Sequence, residues 1–115
     1  MKFSCSCGRI ITDGADGQPD KAHVIPDVDA HAVLDAIDAA IEQRGSTAHA
    51  KMAASMRVRV LLSDISRRAW QCGECGRIWV EGKDRSLESF APEGQEKRLG
   101  IFNSKRAQTD LSAPT

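Results

Sequence analysis

Four cysteines are the residues best placed to do chemistry, in the pairs Cys5-Ser6-Cys7-Gly8 and Cys72-Gly73-Glu74-Cys75-Gly76. Zinc takes four ligands in a tetrahedron, with sulfur at about 2.3 Å, and two short cysteine pairs on separate turns each supply one edge of it. The glycines that follow each pair suit turns needing a positive φ, with backbone N–H groups aimed at sulfur. Cys5, Cys7, Cys72 and Cys75 are therefore the expected ligands of one structural Zn²⁺. Four thiolates leave the site negative, so backbone amides and Lys2, Arg9 or Arg77 are expected to offset the charge. Free thiols, a disulfide or a redox-active Cys72-x-x-Cys75 would use the same residues. Paired spacing in a chain expected in the reducing cytoplasm favours metal over a disulfide, and no thioredoxin-like pattern of strand and helix surrounds the second pair.

Other chemistry finds little support. Four cysteines saturate a tetrahedral site, so His23, His31 and His49 read as ordinary side chains rather than ligands. The chain has no phosphate-cradling glycine loop and no Gly-x-Ser-x-Gly elbow. A closed four-thiolate site leaves the metal no position for water, so the expected protein is not an enzyme. Trp70 and Trp79 flank the second pair. In a hairpin closed at Cys72 to Cys75 they oppose each other across the strands, which reads as core packing beside the metal in preference to a platform for nucleobases.

The elements that must position the cysteines follow from local pattern. Residues 2–5 and 9–12 are the arms of one short hairpin, and 68–71 and 77–80 the arms of a second. Residues 86–90 read as a further strand ended by Pro92. The stretch 21–26 reads as extended or irregular before Pro26. A helix over about 29–44 carries Val33, Leu34, Ile37 and Ile41 at helical spacing, with Asp27 or Asp29 as N-cap and Gly45 as its stop. A second, capped by Ser46 or Thr47, places Met52, Met56, Leu61 and Ile65 on one face; helix is preferred to strand there despite the alternation of Val58, Val60 and Leu62. Asp35, Asp38 and Glu42 form an acidic stripe on the first helix.

Composition bounds the whole. A chain of 115 residues suits one domain. The expected division is 1–92 as a single domain with a helical insertion at about 29–66, followed by a polar, flexible tail over 93–115. Hydrophobic residues make up 41% but aromatics only 4%, so large side chains for a core are scarce and a metal staple would help. Lys plus Arg and Asp plus Glu number 16 each, which removes the general positive field of a nucleic-acid binder. The distribution is uneven: between Asp13 and Glu42 eight acids face only Lys21, whereas residues 57–85 hold seven bases against four acids. No signal-peptide core or membrane-spanning run is apparent, so the expected setting is the cytoplasm. The fold class expected is α+β: a small antiparallel sheet from the two cysteine hairpins and a third strand, covered by one or two helices.

Cys5, Cys7, Gly8, Cys72, Cys75 and Gly76 together resemble a zinc ribbon, in which two cysteine knuckles on β-hairpins share one zinc. The likeness covers about a third of the chain. It departs from the family in having one spacer residue in the first knuckle and a long helical insertion between the two. The order of knuckle, acidic loop, helix and Trp-flanked knuckle is also similar to small bacterial proteins of zinc-ribbon type. The resemblance implies a Cys₄ zinc scaffold, and the strong helix and uneven charge suggest that the insertion presents a binding surface. The functional expectation is a protein-protein interaction module, as an inhibitor or adaptor, whose acidic helix suits a basic partner. The alternative is a nucleic-acid-binding regulator that uses the basic 57–85 segment.

Overall fold

The computed structural model describes residues 1–43, 47–94 and 98–106. Its elements run β1 (Lys2–Ser4), β2 (Ile10–Thr12), β3 (Lys21–Val24), α1 (Asp27–Gln43), α2 (Ala48–Ile65), β4 (Arg67–Gln71), β5 (Ile78–Glu81) and β6 (Leu87–Phe90). This is the expected α+β class, with the strands divided between two sheets. The first hairpin, β1-β2, forms a sheet of its own, with Phe3 opposite Ile11. The second, β4-β5, lies inside a four-stranded sheet of order β3-β4-β5-β6. The chain separates into two compact units, Met1–Ala22 with the chain from Arg68 onward, and His23–Arg67.

In the sheet unit, Trp70 pairs with Trp79 across β4 and β5, the register expected from the hairpin closure. The buried cluster is Cys5, Ile11, Trp70 and Cys72, with Phe3, Cys75, Trp79 and Leu87 against it. Phe3 meets both indoles edge-on, each at 5.4 Å between centroids, so these three aromatics are spent on packing around the thiols. Arg68 lies over the Trp70 ring at 5.3 Å and forks onto Glu81, with Nε to Oε1 at 2.9 Å and Nη2 to Oε2 at 2.8 Å. Asp13 accepts from Lys21 at 2.8 Å and from Arg68 at 3.3 Å. The Asp13 and Glu81 side chains are only 7% and 5% exposed, and their pairing offsets the cost of burying them. The Lys21 hydrogen bond holds the Asp13 carboxyl below its usual range, and the Arg68 guanidinium does the same for Glu81. Arg68, one of the bases of the 57–85 segment, is thus committed within the fold.

The helical unit starts where Pro26 directs. Asp27 and Asp29 fall inside the first turn of α1, not at its cap, and face the positive end of the helix dipole; the Asp29 N–H donates to the Pro26 carbonyl. The expected stop at Gly45 and the cap at Ser46 lie outside the described residues. Thr47 caps α2: its hydroxyl accepts from the Ala50 N–H at 3.0 Å, and the Ser66 N–H closes the other end on Leu62. The second apolar pattern is therefore helix, as preferred. Little of either helix is buried, however. Val33 and Ala54 are the buried apolar residues of the pair, while Leu34, Ile37, Ile41, Met52 and Met56 are exposed. Asp35, Asp38 and Glu42 are exposed, as are all three histidines. Among the described residues no helix is long and apolar enough to cross a membrane.

Candidate metal centre

The two cysteine turns are closed by the same pair of backbone bonds. In the first, the Cys5 N–H donates to Arg9 O at 2.8 Å and the Gly8 N–H to Cys5 O at 2.9 Å. In the second, the Cys72 N–H donates to Arg77 O at 2.8 Å and the Gly76 N–H to Cys72 O at 3.0 Å. The shorter Cys-x-Cys spacing thus narrows the turn by one residue and keeps its closure. Gly8 and Gly76 take φ of +98° and +80°, a region that costs a residue with a Cβ about 1–2 kcal/mol. Gly76 is tighter still, because a Cβ there would lie 3.2 Å from Pro92 Cγ.

These turns bring the four sulfurs of Cys5, Cys7, Cys72 and Cys75 within 4.8 Å of one another, a cluster able to hold a metal ion. Cys5 and Cys75 lie 3.6 Å apart at sulfur, as do Cys7 and Cys72. That is close to the edge of about 3.8 Å for a tetrahedron with metal–sulfur bonds of about 2.3 Å. It is far beyond the roughly 2.05 Å of a disulfide. Cys5 and Cys72 are buried and Cys75 half-buried; Cys7 is exposed. The open side is lined by Cys7, Arg9, Glu74 and Cys75, with Arg9 and Glu74 3.4 Å apart across the two knuckles.

The electrostatics are those of a crowded thiol cluster. Burial opposes ionisation of Cys5, but the Cys7 N–H, the Trp79 indole N–H at 3.5 Å and the neighbouring thiols outweigh it and lower its pKa to about 6. The Arg9 N–H favours a thiolate at Cys7, yet desolvation and the Cys72, Cys75 and Cys5 sulfurs raise that thiol to about 11. Cys5 thus ionises easily while Cys7 resists it, an opposition that a cation held between them would relieve. Among the described residues, the Cys7 and Arg9 backbone amides and the Trp79 indole donate to these sulfurs. Of the bases expected here, Arg9 borders the site, Arg77 donates to Ser89 Oγ at 3.2 Å, and Lys2 stands opposite Thr12 in β1-β2.

Two supports escaped the sequence reading. Trp79 was expected as packing alone, yet it also donates to Cys5. Gln71 is buried beside Cys72: its Nε2 donates to the Gly76 carbonyl at 3.2 Å and to that of Arg98, while its Oε1 accepts from the Ile101 N–H at 3.2 Å. A segment within the expected flexible tail is therefore tied to the second knuckle; residues 107–115 lie outside the described chain. The glutamine directly before Cys72 was the available signal.

The chain matches, over residues 1–105, the model of the family described as a domain of unknown function, DUF8617, and belongs to that family; the match is to it and not to a zinc-ribbon family. No curated protein and no solved structure matches the chain.

Proposed function

For this member of the DUF8617 family we propose that Cys5, Cys7, Cys72 and Cys75 hold one structural zinc ion, and that the protein is a non-enzymatic module acting through protein-protein contacts. The observation that carries the reading is the sulfur cluster itself: four thiols from two turns within 4.8 Å of one another, with N–H donors on Cys5 and Cys7. A four-sulfur tetrahedron selects zinc or iron among available metals, and zinc adds no redox chemistry to a site built into the core. When bound, zinc would supply cross-linking between the two hairpins and no Lewis-acid position, since four thiolates complete its shell. The Cys7 and Arg9 N–H groups and Trp79 Nε1 stabilise the thiolates, Phe3 and Trp70 belong to the apolar cluster around Cys5 and Cys72, and Gln71 fixes the second knuckle. We place the protein in the reducing cytoplasm, where such thiols persist as ligands and not as disulfides.

The helical unit is the part we assign to recognition: several of its large apolar side chains, among them Leu34, Ile41 and Met52, are exposed, and α1 carries acids without a Lys or Arg. Reading the basic 57–85 stretch as a nucleic-acid surface gains no support, because Trp70 and Trp79 are packed on Phe3 and Arg68 is held by Glu81 and Asp13. Cobalt(II) replacement tests the ligand set. Intense tetrahedral d–d bands with strong sulfur-to-cobalt charge transfer, weakened by Cys75→Ser, are expected. Octahedral, weakly absorbing cobalt would overturn the proposal.

A further inference from the structure

We propose that the cleft between the loop 13–20 and β4 is a built hydration site, in which ordered water accepts a hydrogen bond from the Trp70 indole N–H and donates one to the Gln18 carboxamide oxygen. The site lies in the sheet unit and does not depend on which metal the cysteines take.

Among the described residues two buried side-chain polar atoms have no hydrogen-bond partner, Trp70 Nε1 and Gln18 Oε1. A buried donor or acceptor left unmet gives up its bonds to solvent without replacement, so each calls for a partner. Both residues line one cleft of about 120 Å³, whose other polar walls include Thr12, Asp20 and Lys21. That volume has room for several waters at about 30 Å³ each. The loop is fastened along β4 on either side of Trp70: Arg68 reaches Asp13 at 3.3 Å, and the Gln71 N–H donates to Asp20 O at 2.9 Å. A turn closed by the Lys21 N–H on Gln18 O, at 3.2 Å, sets Gln18 within that fastened stretch.

The chemistry of the two orphan groups selects the occupant. The Gln18 Nε2 donates to Thr12 O at 2.9 Å, and because that carbonyl can only accept, the carboxamide oxygen is the end left without a partner. An indole N–H can only donate and a carboxamide oxygen only accept. An anion would suit Trp70 and not Gln18, and a cation the reverse. A neutral group that accepts and donates at one oxygen suits both, and water is the smallest that does. With Trp70 only 2% exposed, such water is held by the protein on one side of the indole and bridges the loop to the strand that leads into Cys72.

Nuclear magnetic resonance on the metal-loaded full chain tests this, since the chain has two tryptophans and the second is its own control. The Trp70 indole proton should show NOE and ROE cross-peaks to water of opposite sign, the mark of bound water and not of proton exchange. The Trp79 indole proton, which faces Cys5 Sγ, should show none. Gln18→Met and Gln18→Glu both remove the bond to Thr12 O, but only Gln18→Glu keeps an acceptor, so the Trp70 cross-peak should vanish in the first and persist in the second. Replacing Trp70 by 3-benzothienylalanine, which exchanges N–H for sulfur, should raise the unfolding constant about fivefold if water meets the N–H, whereas removal of a dry orphan donor should lower it. Absence of bound water at Trp70, a cross-peak retained in Gln18→Met or lost in both Gln18 variants, or stabilisation by the sulfur analogue overturns the proposal.

Discussion

Removing the indole N–H of Trp79 probes the least obvious support of the centre. Replacing Trp79 by 3-benzothienylalanine keeps the bicyclic shape that packs edge-on against Phe3 and opposes Trp70, and exchanges only N–H for sulfur. The hydrogen bond lost is the one to Cys5 Sγ at 3.5 Å. Donors around a metal-bound ligand contribute about 10- to 100-fold in metal affinity. A contact of this length, sharing its sulfur with the Cys7 N–H, belongs at the lower end, about tenfold or about 1.4 kcal/mol. Competition against a chromophoric chelator reads the affinity, and denaturation of the metal-free protein reads the packing. The expected result is metal affinity weakened by about tenfold, the zinc-loaded protein destabilised by the same amount through linkage, and the metal-free unfolding transition little moved. Unchanged affinity would refute the role given to Trp79; a metal-free protein destabilised as much as the zinc-loaded one would assign it to packing alone.

Three further outcomes follow from the same structure. Gly76→Ala should destabilise by about 2–3 kcal/mol and Gly8→Ala by about 1–2 kcal/mol, because both sit at positive φ but only the added methyl at 76 meets Pro92; equal melting temperatures for the two variants would contradict this. Arg85, at φ of +67° in the β5-β6 turn, should gain about 0.5–1 kcal/mol on Arg85→Gly, measured by denaturant midpoint, since glycine enters that region without strain. Glu81→Gln should cost about 2 kcal/mol at neutral pH, less than a fully buried pair because the Arg68 side chain is 32% exposed. The sign with pH follows from depressed carboxyl pKa values at Asp13 and Glu81: their contribution is present above the ordinary carboxylate range of about 4 and is lost as pH falls through it. The wild-type advantage over Glu81→Gln should therefore hold from neutral pH down to about 5 and shrink below about 4; an advantage that grew on acidification would contradict the pairing.

Much of the fold was legible because its signals are local. The α+β class, the Trp70–Trp79 register, the start of α1 after Pro26 and the Thr47 cap all follow from spacing, turn residues and capping chemistry. The four cysteines were legible as a set because short pairs followed by glycine serve few other purposes. What local pattern does not encode is who covers whom. Leu34, Ile37 and Ile41 recur as a core-facing helix would show them, yet they are exposed, since periodicity reports an apolar face and not its partner. Arg68 counted toward a basic stretch in one dimension and closes a buried network with Glu81 and Asp13 in three. The division of the strands into two sheets and the clamp of Gln71 on residues 98–101 likewise depend on long-range contacts that no window of sequence contains.

The central claim is that four thiols of this chain bind one metal ion, and elemental analysis of the purified protein, with thiol titration before and after chelation, tests it most directly. One zinc per chain is expected, with the four thiols protected until a chelator releases them. Metal-free protein with four freely titrating thiols, or metal retained in full by Cys72→Ser and Cys75→Ser, would contradict the account.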